Sequence, residues 1–342
     1  MLEKPHLPDE RISACLQAEY GLLVATIVFL PLGADLGTAV YRVTAADGTM
    51  YFLKLRSGTF DETSVALPKF LSDQGIEHII APLATSTGQL WANLDAFTVI
   101  LYPFVEGRNG YEIDLADRHW IEFGVALKRI HTVTVPPALI DRIQRETSSP
   151  RWREIVKKSL ARVETDTFDD PVAIELAAYL KVKRAEILDL VERTEQLAQE
   201  LQAQPPESVV CHADLHAGNI LIDASGTFYL IDWDTLIRAP KERDLMYAGG
   251  GQFRDTRTPQ QEEALFYQGY GPTPIDQRAL AYYRYERIIE DIAVECEQIF
   301  SAADGSEDRE QALRYLMSNF QSTGVLEIAY HSDKTREKDD SP

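Results

Sequence analysis

The chain has 342 residues and a formal net charge of −20, which is too long for one small core and suits two lobes. An apolar content of 45% and a charged content of 26% describe an ordinary globular protein. The acidity argues against nucleic acid and anionic membrane surfaces as partners and favours a cationic small molecule, although acidity also serves solubility.

Three cysteines, Cys15, Cys211 and Cys296, stand far apart with no CxxC pair, so neither a disulfide framework nor a zinc knuckle is expected. The opening MLEKPHLPDE lacks the apolar core of a signal peptide, and the uncharged stretch 21–34 is too short to span a bilayer and contains Pro31. A cytoplasmic protein, monomer or weak dimer, is the expectation.

The runs LLVATIVFL, AVYRV and MYFLKL are β-branched and aromatic and are separated by turn residues, so the first part of the chain reads as β-rich. TFDETSVALPKFLSDQG then predicts a helix capped by Thr59 or Asp61 and stopped at Gly75. Pro68 requires that helix either to begin late, near Ser64, or to kink. FTVILYPFVEG predicts a further strand that runs out into an extended connector. Helical spacing follows in 115–131, 173–203 and 276–300. Between the last two lies VVCHADLHAGNILIDASGTFYLIDWD, where NILID and FYLID flank an ASG turn and predict a hairpin. The expected class is therefore α+β with two lobes: a small β-rich lobe over 1–104, a larger helical lobe over 105–330 carrying the hairpin, and a disordered polar tail over 331–342.

CHADLHAGN places His212, Asp214, His216 and Asn219 on the loop before the hairpin, and IDWD places Asp232 and Asp234 at its far end. Phosphoryl transfer needs a base near the acceptor hydroxyl, oxygen ligands for magnesium, a lysine on the nucleotide phosphates and a loop over them. The protein-kinase catalytic loop H-x-D-L-x-x-x-N followed by an Asp after a hairpin supplies these parts. His212, Asp214, Leu215 and Asn219 match it without insertion, and Asp232 takes the second role. In this reading Asp214 is the base, Asn219 and Asp232 hold magnesium, and His212 braces the loop through backbone hydrogen bonds. A rival reading puts His212, Asp214 and His216 on one strand face as metal ligands of a hydrolase. The other histidines are scattered singly, so His216 is read as packing in the loop or touching a phosphate.

The earlier lobe offers the remaining parts. LPLGADLGTAVYRV is a strand, a glycine-containing turn and a strand, so Gly33 and Gly37 can let backbone amides approach phosphates or simply make a turn. Lys54 in MYFLKLR is the phosphate lysine, with Glu62 as its expected carboxylate partner, unless Glu62 only favours the helix dipole. Adenine is expected against the backbone at 101–104, with Tyr102 or Phe104 stacking on it.

HADLHAGNILID followed by IDWD resembles the aminoglycoside phosphotransferase family, whose hallmark is close to HGDLHPGN. YPFVEGRNG, SPRWREIVKKS, APKERDLMYAGGG, FYQGYG and YYRYERIIEDIA resemble its spectinomycin phosphotransferase branch, in that order, over roughly residues 15–330. The resemblance implies a protein-kinase-like fold and an ATP- and magnesium-dependent kinase acting on a hydroxyl of an aminocyclitol antibiotic, with GTP an open alternative to ATP. It carries over Asp214 as base, Asn219 and Asp232 as metal ligands, and Lys54 on the phosphates. Asp234, Glu286, Glu290 and Asp291 are candidates to face ammonium groups of the substrate, and Asp244 is a candidate brace for the catalytic loop. Two alternatives stand beside this: a kinase of a choline-, homoserine- or sugar-like metabolite, and a nucleotide-binding regulator without catalysis. Protein kinase activity is not expected, because between Asp232 and the next helix there is only DTLIRAPKERDL, which leaves little platform for a peptide.

Overall fold

The computed structural model describes residues 4–32, 37–253, 256–301, 306–321 and 324–339. In chain order these form α1 (Asp9–Tyr20), β1 (Val24–Leu30), β2 (Thr38–Ala45), β3 (Met50–Ser57), α2 (Thr63–Asp73), β4 (Ala92–Leu94), β5 (Phe97–Pro103) and β6 (Gly107–Asn109). Then come α3 (Asp117–Thr132), α4 (Pro137–Ile140), α5 (Arg151–Thr165), α6 (Pro171–Ala203), β7 (Ser208–Cys211), β8 (Ile220–Asp223), β9 (Phe228–Leu230) and β10 (Ile237–Pro240). The last are α7 (Glu242–Leu245), α8 (Pro259–Tyr270), α9 (Gln277–Ser301), α10 (Ser306–Ser318) and α11 (Val325–Asp339). The expected α+β class is observed, with a β-sheet region first and helices dominating afterwards. No described helix is long and apolar enough to cross a membrane.

The chain divides into two compact units. One holds residues 1–119, 125–144 and 214–236; the other holds 120–124, 145–213 and 237–342. This differs from the boundary expected at residue 104. The loop and hairpin that carry Asp214, Asn219 and Asp232 belong with the N-terminal sheet's unit, because β6 from the connector pairs with β8 and Ile79 bridges to Leu230.

In the first unit a five-stranded sheet has the order β1-β2-β3-β5-β4. The Ala-Asp-Gly turn closes β2 onto β3: Gly48 takes a φ of 87° that favours glycine, and Asp47 Oδ1 accepts from the Thr49 amide at 2.9 Å. The register sets Lys54 opposite Val40 on one side and Ile100 on the other. Tyr41, Leu53, Leu55, Val99 and Leu101 bury against Ile12 and Leu16 of α1. That helix is not expected from the sequence. Gly21 ends it at φ 66°, donating its amide to the Gln17 carbonyl.

Helix α2 begins late, at Thr63, and tolerates Pro68 inside it. Asp61 Oδ1 accepts from the Thr63 amide, and Gly75 at φ 76° follows the helix. The hairpin β8–β9 is extended to three strands by β6, with Gly107 opposite Asp223. Asp223 organises its turn by accepting from the Ser225 and Thr227 amides.

In the second unit α9 is the central helix, packed on by α5, α6, α10 and α11. Ile288, Ile289, Ile292 and Ala293 of α9 are buried in succession because helices cover it on several sides. The tail expected to be disordered over 331–342 is helical as far as Asp339. The buried Asp333 accepts from Arg193 and from the Tyr285 hydroxyl at 3.1 Å each, which ties this polar sequence down. Residues 340–342 lie outside the described residues.

Candidate active site

Strand β3 alternates, and Lys54 lies buried on the face it shares with Arg56. A buried ammonium has to be paired, and Lys54 is paired twice. It donates to Asp232 Oδ1 at 3.0 Å and to Asp234 Oδ2 at 2.7 Å. Arg56 also salt-bridges Asp234. Burial alone would lower the lysine's pKa, but the Asp232 and Asp234 charges outweigh it and hold the ammonium above its ordinary value.

The expected partner, Glu62, is elsewhere. It pairs with Arg142, and both side chains are largely exposed. At the start of α2 it is Asp61 whose carboxylate accepts from the Thr63 amide, while Glu62 is directed to Arg142. Asp234, a candidate to face substrate ammonium groups, pairs here with both cations of β3.

Asp214, His216, Asn219 and Asp232 come together in the same unit as Lys54. The stretch 212–216 is irregular loop and not strand, so alternation does not set His212, Asp214 and His216 on one face, and the hydrolase reading loses its geometric basis. Asn219 Nδ2 donates to the Asp214 carbonyl at 2.8 Å and to Asp214 Oδ2 at 3.2 Å. The Asp214 carboxylate stays partly open to solvent. Asn219 and Asp232 stand at the open end of the hairpin, where the Ile231 amide donates to the Asn219 carbonyl at 3.0 Å. Asp232 has a φ of 62°, left-handed and rare for a non-glycine. That turn lets the chain leave β9 and swing the Asp232 carboxylate, half exposed, to Lys54. His216 Nε2 lies 3.5 Å from Asp214 Oδ2.

Within the second unit, Asp244 does what a brace requires. Its two carboxylate oxygens accept from the backbone amides of His212, at 3.0 Å, and Ala213, at 2.7 Å. Ala213 has a φ of 70°, and its carbonyl accepts from the Tyr247 hydroxyl at 3.1 Å. The His212 side chain is fully buried. The backbone immediately before Asp214 is therefore held in a strained turn by a buried carboxylate.

The remaining expected residues are spread. Gly33 lies outside the described residues. The Gly37 carbonyl accepts from both the amide and the hydroxyl of Ser57, which ties the residue before β2 to the end of β3. Tyr102 sits opposite Phe52, with ring centroids 6.4 Å apart; burial, only partly countered by Lys54, raises its phenol above the ordinary value. The Phe104 amide already donates to the Met50 carbonyl at 3.3 Å, and the Leu101 carbonyl accepts from Leu83.

On α9, Glu286 is buried and pairs with the buried Arg153. Glu290 lies 3.8 Å from Arg243 and Asp291 lies 3.0 Å from Arg287, both partly exposed. Sequence reasoning missed Arg56, Arg142 and Arg153. Arg56 carried a signal, since it sits two residues beyond Lys54 on the same strand face.

A model of the phosphotransferase enzyme family matches residues 28–283. A solved spectinomycin phosphotransferase in complex with ADP and spectinomycin is 34% identical, with a TM-score of 0.89, over 97% of this chain and 100% of that one. An AMP-bound spectinomycin phosphotransferase is also 34% identical, with a TM-score of 0.83, over 94% and 98%. A choline kinase from Streptococcus pneumoniae shares the fold at 15% identity and a TM-score of 0.58, over 91% and 99%. No match is found among curated protein sequences.

Proposed function

The chain belongs to the phosphotransferase enzyme family and is a nucleotide-using kinase of the aminoglycoside phosphotransferase type, acting on a hydroxyl; from that premise we propose that it transfers the γ-phosphate of ATP to spectinomycin and so inactivates the antibiotic. The observation that carries the substrate reading is the full-length likeness to an enzyme solved with ADP and spectinomycin. The net charge of −20 suits a cationic acceptor.

Asp214 is the proposed base. Its carboxylate is partly open, and the Asn219 amide holds it in place. It accepts the proton of the acceptor hydroxyl as that oxygen attacks phosphorus. Lys54 steadies the phosphates with an ammonium that stays charged because Asp232 and Asp234 flank it.

The donor set fits magnesium. Asn219 and Asp232 offer hard oxygen atoms, and Asp232 is half exposed at the open end of the hairpin. These two residues would hold the ion, which when bound supplies charge neutralisation at the phosphates. Glu290 and Asp291, partly exposed beside their arginines, are proposed to meet the substrate's ammonium groups.

Expression in a spectinomycin-sensitive bacterium tests the reading. The wild-type gene is expected to raise the tolerated spectinomycin concentration, and the Asp214→Asn gene is not. Equal sensitivity with and without the wild-type gene, at confirmed expression, would move the acceptor to another metabolite.

A further inference from the structure

The segment that follows β6 belongs to no part of the machinery described so far, yet it is stitched onto the catalytic loop. The Gly110 amide donates to the Ala217 carbonyl at 2.8 Å and to the Ile220 carbonyl at 3.0 Å. Asn109 Oδ1 accepts from the Tyr111 amide at 2.9 Å and fixes the turn that delivers Tyr111. The Tyr111 ring then stacks on His216, with centroids 5.7 Å apart and planes 20° apart.

The contacts of His216 favour one tautomer. Its Nδ1 accepts from the Gly218 amide at 3.0 Å. A backbone amide can only donate, so in the neutral ring Nδ1 bears no hydrogen and Nε2 carries it. The Tyr111 hydroxyl, 3.3 Å from Nδ1, meets that atom as a donor as well. Nε2 lies 3.3 Å from Asn219 Nδ2 and 3.5 Å from Asp214 Oδ2; Asn219 Nδ2 itself donates to that oxygen at 3.2 Å, so Nε2–H and the Asn219 amide converge on Asp214 Oδ2.

Gly218 makes this arrangement possible. A Cβ there would lie 2.7 Å from His216 Cε1 and 3.0 Å from Tyr111 Cε2, so any side chain would push the stack apart.

We infer that His216 and Tyr111 are positioning residues for the reaction: His216 restrains the Asp214 carboxylate from Nε2, and Tyr111 holds the imidazole in the plane and tautomer that do so. The inference rests on the proposed role of Asp214 as base. Displacing a reacting group by about 1 Å can cost about 10²-fold in rate, so the restraint acts on kcat more than on nucleotide affinity.

Two variants separate this role from a merely structural one. In His216→Gln the side-chain amide nitrogen replaces Nε2 and can still donate to Asp214. In His216→Asn the amide oxygen replaces Nδ1 and can still accept from Gly218. Spectinomycin phosphorylation by both, with thermal melts to confirm folding, gives kcat and the KM for MgATP. His216→Gln is expected to keep kcat within a few-fold of wild type. His216→Asn is expected to lose about 10²-fold in kcat, with the KM for MgATP changed less than about threefold. If Asn does as well as Gln, the imidazole only caps the turn at Ala217–Asn219 and the inference fails.

A second measurement needs no turnover. The ¹⁵N spectrum of the wild-type protein, assigned by comparison with His216→Gln, is expected to show the hydrogen of the imidazole tautomer on Nε2 with Nδ1 as the acceptor; a tautomer with its hydrogen on Nδ1 overturns the inference. Wild-type protein that ignores spectinomycin, or a fully active Asp214→Asn, would count against the proposed function while leaving this spectrum as the judge of the positioning role.

Discussion

Lys54 and Asp234 are joined by a 2.7 Å charge-assisted hydrogen bond, and this carboxylate occupies the place sought for Glu62. Asp234 also holds Arg56, so one acid two residues beyond Asp232 ties down both cations of β3. Asp234→Asn is expected to raise the KM for ATP about tenfold, the scale of one hydrogen bond to a charged group. Glu62→Gln, which disturbs only an exposed pair with Arg142, should leave it within about twofold. Steady-state kinetics on the two variants decides; a reversed ranking would restore Glu62 as the lysine's partner.

The base assignment makes a separable claim about chemistry and binding. Asp214→Asn keeps the side chain's shape and removes its basicity. Turnover is expected to fall by about 10²–10⁴-fold, while ATP affinity measured by calorimetry stays near wild type. Loss of ATP binding in step with turnover would show that Asp214 serves the nucleotide site.

Asp244 offers a test of the loop's support. Asp244→Ala leaves the amides of His212 and Ala213 without their carboxylate, and each buried unpaired donor costs about 1–3 kcal/mol. Denaturant unfolding should register a loss of that order and a reduced kcat. Unchanged stability would mean that the left-handed turn at Ala213 holds itself.

Helix α9 predicts a pH dependence of stability. Burial pushes the carboxyl of Glu286 up to about 7 from an ordinary 4.5, against the pull of Arg153. Burial, with Asp291, does the same for Glu295. A folded-state value above the unfolded one means that the native protein keeps protons which the unfolded chain releases. The stabilisation is therefore complete below about pH 4.5 and is lost as pH rises towards 7, by about 3 kcal/mol for Glu286. In Glu286→Gln the slope of unfolding free energy against pH should flatten between pH 5 and 7. An unchanged slope would contradict the assignment.

Much of this was legible in the residues, for identifiable reasons. Lys54 could be read because a charged residue among Leu53 and Leu55 on an alternating strand needs a partner within the protein. The hairpin could be read because NILID, ASG and FYLID state strand, turn and strand. Glu62 misled because its partner, Arg142, lies 80 residues further along the chain and meets it only in three dimensions. Strand β6, Gly-Arg-Asn, has no β signal of its own and exists because Leu221 and Ile222 of β8 pair with it. Helix α5 was open to reading, since Val156, Leu160 and Val163 bury at helical spacing. The tail's helix was not, because its hold on the fold comes through Asp333, a polar residue that meets Arg193 and Tyr285 only in three dimensions.

The central claim is most directly tested by transfer of labelled phosphate from ATP, with magnesium, to a panel of spectinomycin, kanamycin, streptomycin, hygromycin, choline and homoserine, with products identified by mass. The account predicts one added phosphate on spectinomycin alone, and none with Asp214→Asn. Label appearing on choline or homoserine and not on spectinomycin would contradict it.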